Sequence, residues 1–159
     1  MKKLLKLLER DCTMPREQLA VAADMTLEEV NTTMELLEKD KIIRGYQALI
    51  DWDQVQPEAV TALIAVNVTP QTSDGYDRIA ERIYQYEEVE SLYLMSGTYD
   101  MTVMISGRTL REVAEFVNNR LAPIEGVTGT ATHFILKRYK EQHLAFQKRK
   151  EKEERFVFE

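Results

Sequence analysis

The chain has 159 residues, 44% hydrophobic and 30% charged, with a formal net charge of −6. These values exclude a disordered tail and suit one ordinary domain or two small ones. One cysteine, Cys12, excludes an intramolecular disulfide and fits a reducing cytosol, and a half-buried helix thiol is its plainest role.

The start, Met1-Lys2-Lys3-Leu4-Leu5-Lys6-Leu7-Leu8, is basic like a signal peptide, but Lys6, Glu9, Arg10 and Asp11 interrupt any apolar run and no small-residue cleavage site follows. No stretch approaches the roughly 18 apolar residues of a membrane helix, so the expected place is the cytoplasm, with no membrane partner. In residues 2–11, Leu4, Leu5, Leu7 and Leu8 give one apolar helix face. Cys12 to Pro15 breaks it, and a second helix is predicted over Pro15–Ala23, with Leu19, Ala20 and Ala22 for packing. Thr26 and Glu29 have capping-box spacing and open a third helix to about Asp40, with Val30, Met34 and Leu37 on one face. Ile42–Ile43 and Tyr46–Ile50 then read as two short strands turning near Arg44-Gly45. Three helices and a hairpin describe a winged helix-turn-helix.

Asp51 to Pro57 is polar and reads as a linker. Beyond it, Ala62–Val68 is a buried strand. Asp74–Tyr86 has Ile79, Ile83 and Tyr86 at helical spacing. Val89–Met95 and Tyr99–Ser106 are strands around the turn Ser96-Gly97-Thr98. Leu110–Leu121 is an amphipathic helix with Leu110, Val113, Ala114, Val117 and Leu121 on its core face, and Val127–Tyr139 is a last strand after Gly126. The order β-α-β-β-α-β is the ferredoxin-like split unit, whose helices cover one sheet face. A second subunit is the natural cover for the other face. The fold class is therefore α+β: a winged helix-turn-helix over 1–50, a linker over 51–59, a ferredoxin-like domain over 60–140 and a charged extension over 141–159, the last read as a frayed, solvated helix.

Two stretches resemble the Lrp/AsnC family, the feast/famine regulators. Leu37-Glu38-Lys39-Asp40-Lys41-Ile42-Ile43-Arg44-Gly45-Tyr46 is similar to the family's recognition-helix exit, LE-x-x-G-x-I-x-x-Y. Ser96-Gly97-Thr98-Tyr99-Asp100, Gly126-Val127, Thr130-Ala131-Thr132 and Leu136-Lys137-Arg138-Tyr139-Lys140 are similar to its effector domain's SG-x-YD, GV-x-x-T-x-T and L-x-x-YK. The resemblance implies a transcription regulator whose effector domains pair through their sheets, with dimers often forming larger rings. It also implies that an amino acid or related metabolite binds between subunits near Ser96, Gly97, Thr98, Tyr99, Asp100, Thr130 and Thr132. The chemistry is plausible: Gly97 admits a carboxylate close to backbone N–H groups, Asp100 can accept from an ammonium, and the threonines offer hydroxyls. A tight hairpin with Tyr99 in the core and Asp100 capping the turn is the purely structural alternative.

A helix-turn-helix reads bases with the first part of its recognition helix. Thr26, Asn31, Thr32 and Thr33 stand there, and Lys39, Lys41 and Arg44 can hold the DNA backbone from the helix exit and wing. Residues 1–56 carry eight Lys and Arg against eleven Asp and Glu, net −3. Glu28 and Glu29 suit the helix dipole but face where phosphates would lie. Two departures from the family pattern are Asp24, where glycine is frequent in the turn, and Thr33, near a frequent arginine; aspartate tolerates positive φ. The expectation is weak, salt-sensitive DNA binding per subunit, rescued by avidity in a homo-oligomer. The alternative is a metabolite-binding or interaction protein whose helix-turn-helix has little DNA affinity. An enzyme is not expected. No P-loop, nucleotide fingerprint or zinc spacing occurs, and His133 and His143 have no cysteine at ligand spacing. No catalytic residue, metal or cofactor is assigned, apart from the amino-acid effector.

Overall fold

Leu4 and Leu8 lie one helical turn apart and set the first element. In the computed structural model, which describes residues 1–69 and 75–146, α1 spans Lys2–Arg10 and buries both leucines. Helix α2, Arg16–Ala23, enters from Pro15, whose ring presets a compatible φ. It ends at Asp24 in the left-handed region, φ 58° and ψ 47°, where the Asp24 N–H closes the last turn on Ala20 and Val21. The Lys3 ammonium meets the Asp24 carboxylate. Helix α3, Leu27–Lys39, buries Val30, Met34 and Leu37. Leu4, Leu8, Leu19, Ala20, Ala23, Val30 and Met34 form the core of this unit, Met1–Ile50.

The expected wing hairpin is not formed. Among the described residues no strand lies between 42 and 50. The Ile42 and Ile43 N–H groups both donate to Leu37 O, at 2.9 and 3.0 Å, so they close α3 instead of entering a ladder. Lys41, at the glycine of the quoted pattern, takes φ 55° to make that closure. Tyr46 Oη donates to Glu38 Oε1 at 2.7 Å, which joins two ends of the same pattern. Burial, then this bond, raises the Tyr46 pKa above the usual phenol value.

The second unit, Asp51–Glu159, begins with a one-turn helix, α4, Trp52–Val55, inside the expected linker. The strands β1 (Val60–Val68), β2 (Val89–Leu94), β3 (Met101–Gly107) and β4 (Val127–Phe134) form an antiparallel sheet in the order β2-β3-β1-β4. Helices α5 (Gly75–Tyr84) and α6 (Leu110–Phe116, continued as a π-helical turn, Val117–Leu121) cover one face. Strand alternation sends Ala62, Ile64, Val66, Met101, Val103 and Ile105 into the core with Ile79, Ile83, Val113 and Leu121. Gly126 turns the chain into β4 at φ 94°, a backbone conformation that calls for glycine, and a Cβ there would also press on Ile79 Cδ1 at 2.7 Å.

Several boundaries differ from expectation. Strand β3 starts at Met101, because its pairing with Leu94 and Val66 ends there; Tyr99 and Asp100 belong to the turn. Strand β4 stops at Phe134 rather than Tyr139: Ile135 N still donates to Thr61 O at 2.9 Å, but β1 begins at Val60, one residue earlier, so the rest of the expected strand has no ladder to join. Leu110 and Ala114 are exposed; the core face of α6 is instead Val113, Phe116, Val117 and Leu121. The start of the extension is not helical: β5 (Lys140–Glu141) and β6 (Leu144–Ala145) pair as a small hairpin. The rest of that extension, 147–159, lies outside the described residues.

A lysine in the left-handed region costs roughly 1–2 kcal/mol, part of which glycine's extra freedom in the unfolded chain offsets. Lys41→Gly should therefore stabilise the protein by about 0.5–1 kcal/mol in urea unfolding; unchanged or lower stability would mean that Lys41 does not hold this conformation.

Candidate functional sites

The reading face of α3 follows from its buried face. Val30, Met34 and Leu37 point inward, and at 100° per residue the opposite stripe is Glu28, Thr32, Glu35 and Lys39, all exposed. Of the predicted DNA-contact residues, Thr32 and Lys39 lie on this stripe. Asn31 sits at its flank, where its Oδ1 accepts from Arg16 Nη1 at 3.4 Å. Thr33 turns toward the core side and is half-buried. Lys41 and Arg44 are exposed past the helix end. Sequence reasoning missed Glu35 and Arg16. A helical wheel centred on the three core residues finds Glu35, whereas the Arg16–Asn31 bond joins two helices and has no local signal.

Thr26 and Glu29 are committed to each other. Thr26 N and Oγ1 donate to Glu29 Oε2 at 2.7 and 3.0 Å, and Glu29 N donates to Thr26 Oγ1 at 3.2 Å. The Thr26 backbone N–H, then its hydroxyl, holds the Glu29 carboxyl below its ordinary pKa. Glu29 is thus folded back on the N-cap, which leaves Glu28 and Glu35 as the acidic groups of the stripe.

In the second unit, the turn 95–100 joins β2 to β3 and crosses the end of β1. Asp100 Oδ2 accepts from Val68 N at 2.8 Å, Asp100 N donates to Val66 O at 3.0 Å, and Met95 N donates to Asp100 O at 2.7 Å. One carboxylate oxygen is thereby spent on the fold. Ser96, Gly97 and Thr98 are exposed, while Tyr99 and Asp100 are half-buried. Gly97 has no positive φ, and nothing lies within 4 Å of where its Cβ would be, so neither backbone nor packing inside one subunit calls for glycine there. Thr130 and Thr132 pair with Val66 and Ile64 and so share the helix-covered face. Two strand spacings, about 10 Å, separate β3 from β4, and one subunit does not bring these threonines onto the turn. Beside the turn, Tyr76, Ala80, Tyr84, Leu92, Leu94 and Met101 line a groove of about 270 Å³ between α5 and the edge strand β2. Two aromatic residues one turn either side of Ala80 signal it, though only α5 and β2 packed together make it a groove.

The uncovered sheet face carries Leu63, Ala65, Tyr93, Thr102, Met104 and Ala131 near its middle and Thr61, Asn67, Ser91, Ser106 and His133 toward its rim. Ala65 and Thr102 are buried, and Thr102 Oγ1 has no hydrogen-bond partner among the described residues. His133 is an exposed strand residue and His143 lies in the turn of the small hairpin. No group of three or more His, Cys, Asp or Glu among the described residues is placed to hold a metal, and no helix among them is long and apolar enough to cross a membrane.

Residues 61–144 match the family model for the Lrp/AsnC ligand binding domain. The chain is 45% identical over 145 residues to an uncharacterized HTH-type transcriptional regulator, YugG, of Bacillus subtilis, covering 91% of this chain and 87% of that protein. It is 26% identical to the DNA-binding transcriptional activator DecR of Escherichia coli, covering 87% and 91%. In fold it is similar to the leucine response regulatory protein of Mycobacterium tuberculosis, with TM-score 0.74, 22% identity and coverage of 92% and 97%. It is also similar to a transcriptional regulator of Neisseria meningitidis solved with L-methionine, with TM-score 0.71, 22% identity and coverage of 87% and 89%.

Replacing Thr26 by alanine removes the cap acceptor and should cost about 1 kcal/mol. The depressed Glu29 pKa adds stability that is present above the ordinary glutamate range and lost as pH falls through the lower folded value. Urea unfolding between about pH 5 and pH 3 should thus show a shallower acid loss in Glu29→Gln, which removes the titrating group, than in the parent; identical slopes would mean that the box does not form in solution.

Proposed function

The chain belongs to the Lrp/AsnC family of transcription regulators, and from that premise we propose that it binds double-stranded DNA through α2 and α3 and senses an amino acid at the 95–100 turn. The observation that carries the DNA half is the α2–Asp24–α3 geometry, in which a left-handed cap and a capping box present Thr32 and Lys39 on one exposed stripe. Thr32 is suited to base edges, while Lys39, Lys41 and Arg44 suit phosphates. Because Glu29 folds back on Thr26, its charge is drawn off the phosphate path.

The effector half is supported by Gly97, whose absent side chain serves nothing inside the subunit, and by Asp100, which keeps one carboxylate oxygen for an ammonium. Thr130 and Thr132 lie two strand spacings from this turn on the helix-covered face, so the site proposed here rests on the turn residues. L-methionine, named with the Neisseria protein, is a sensible first probe, and the 270 Å³ groove beside the turn has room for an apolar side chain of that size. The uncovered sheet face, apolar at its centre and polar at its rim, suits a homodimer contact. The reading places the protein in the cytoplasm, with DNA, an amino acid and its own copies as partners.

A second reading, a metabolite-binding protein with little DNA affinity, is favoured by Glu28 and Glu35 on the α3 stripe. A salt titration of binding to the DNA upstream of the protein's own gene, against scrambled DNA, separates the two. Specific binding that persists near 0.15 M salt is the expected result. Equal binding to both DNAs, confined to low salt, would overturn the operator reading, because that is the signature of counterion release alone.

A further inference from the structure

Arg16 stands where a cation is locally unfavourable. It is the first residue of α2, and the positive end of a helix dipole disfavours a positive side chain there. No ion pair among the described residues involves it. Its guanidinium instead reaches α3, where Nη1 donates to Asn31 Oδ1 at 3.4 Å. It also stands near Tyr46: burial and the Glu38 bond raise that phenol's pKa, and the Arg16 charge acts against them. A side chain set against its local preference, yet bridging the two helices, points to a role outside the fold.

Asn31 is close to the reading stripe of α3. At 100° per residue it lies about 60° from Glu28 and about 40° from Glu35 around the helix. Glu28, Asn31, Thr32 and Glu35 therefore share a face about 100° wide, turned away from the buried Val30, Met34 and Leu37. The Asn31 amide is held on that face. With Oδ1 turned to Arg16, the Nδ2 donors are the groups left for a partner. Arginine carries donors only, and the amide nitrogen adds more. Any base atom brought to Oδ1 also meets the guanidinium. The pair thus offers an approaching base edge donors and positive charge.

We propose that Arg16 and Asn31 together read guanine, with Arg16 as the positioning residue. This rests on the DNA-binding reading above and names what one part of that surface selects. In the major groove guanine shows two acceptors, N7 and O6, and no donor. Adenine shows N7 beside the N6 amine, cytosine shows the N4 amine, and thymine shows one acceptor beside a methyl group. Guanine alone matches a pair of donors across its whole edge. An unheld asparagine favours adenine, because its oxygen accepts from N6 while its nitrogen donates to N7. Arg16 removes that choice. The N6 amine would come to an oxygen already engaged with a cation, and its hydrogens would be repelled.

The test is selection of duplexes from a random-sequence pool by the full chain near 0.15 M salt. Kd is then measured with each base pair at the position whose preference Asn31→Ala alters. The expected parent preference there is guanine over adenine by roughly tenfold. In Arg16→Met the ratio should fall to within about twofold, because adenine gains the second bond. Asn31→Asp, which replaces the donors by acceptors, should move the preference to cytosine. Tm should not fall in Arg16→Met, because the cation it removes opposes the α2 dipole. A purely structural role would weaken all sequences equally and leave these ratios unchanged, which would overturn the proposal. A parent preference for adenine would overturn it too. Guanine preference that survives Asn31→Ala but not Arg16→Met would assign the reading to Arg16 alone and overturn the positioning role. A parent that selects no sequence would overturn the DNA-binding reading itself. A parent whose selected site is the same in every variant would overturn only the guanine reader.

Discussion

Strand β1 is the constraint on which the second unit depends. It is hydrogen-bonded on both sides, to β3 and to β4, and sends Ala62, Ile64, Val66 and Val68 into the core. Both of its ends are tied by side chains. At one end the Asp100 carboxylate takes the Val68 N–H; at the other the Arg138 guanidinium donates to Thr61. The first tie fixes the turn proposed to read the effector, and the second fixes where the chain leaves the sheet past β4. A buried N–H left without its acceptor costs roughly 1–3 kcal/mol, so the shape of the turn and the integrity of β1 are coupled.

The helical unit relies on a smaller device of the same kind. Its core is a few leucines with Val30 and Met34, a thin store of buried area for about fifty residues. Local closures supply the rest: Asp24 and Lys41 in left-handed caps, the Thr26–Glu29 box and the Tyr46–Glu38 bond. The same contacts set the charge of the DNA-facing stripe. The capping box withdraws Glu29, and the acidic groups left on the stripe, Glu28 and Glu35, limit how strongly α3 can attract phosphate.

Much of this was legible in the sequence. Leucines at helical spacing, Thr26 three residues before Glu29, the β-branched run into Val68 and the order of the later elements all act over a few neighbouring residues. What was not legible depends on distant partners. Ile42 and Ile43 look like strand residues, but their N–H groups go to Leu37. Ile135 to Tyr139 looks like more of β4, yet β1 runs out at Val60, soon after Ile135 bonds to Thr61. Thr130 and Thr132 stand close to the turn in motif order, but the crossover puts β1 between β3 and β4. The stripe on α3 could have been read more sharply, since Val30, Met34 and Leu37 already imply Glu35.

Amide exchange along β1 and the 95–100 turn, followed while the common amino acids are added to the full-length protein, tests most directly whether the Val68 end of β1 reads the effector. Slower exchange at Val68, Met95 and Asp100 with one amino acid, and not with the others, is the predicted result. Protection that appears only elsewhere in the chain, with this end of β1 unchanged by every amino acid that binds, would contradict it.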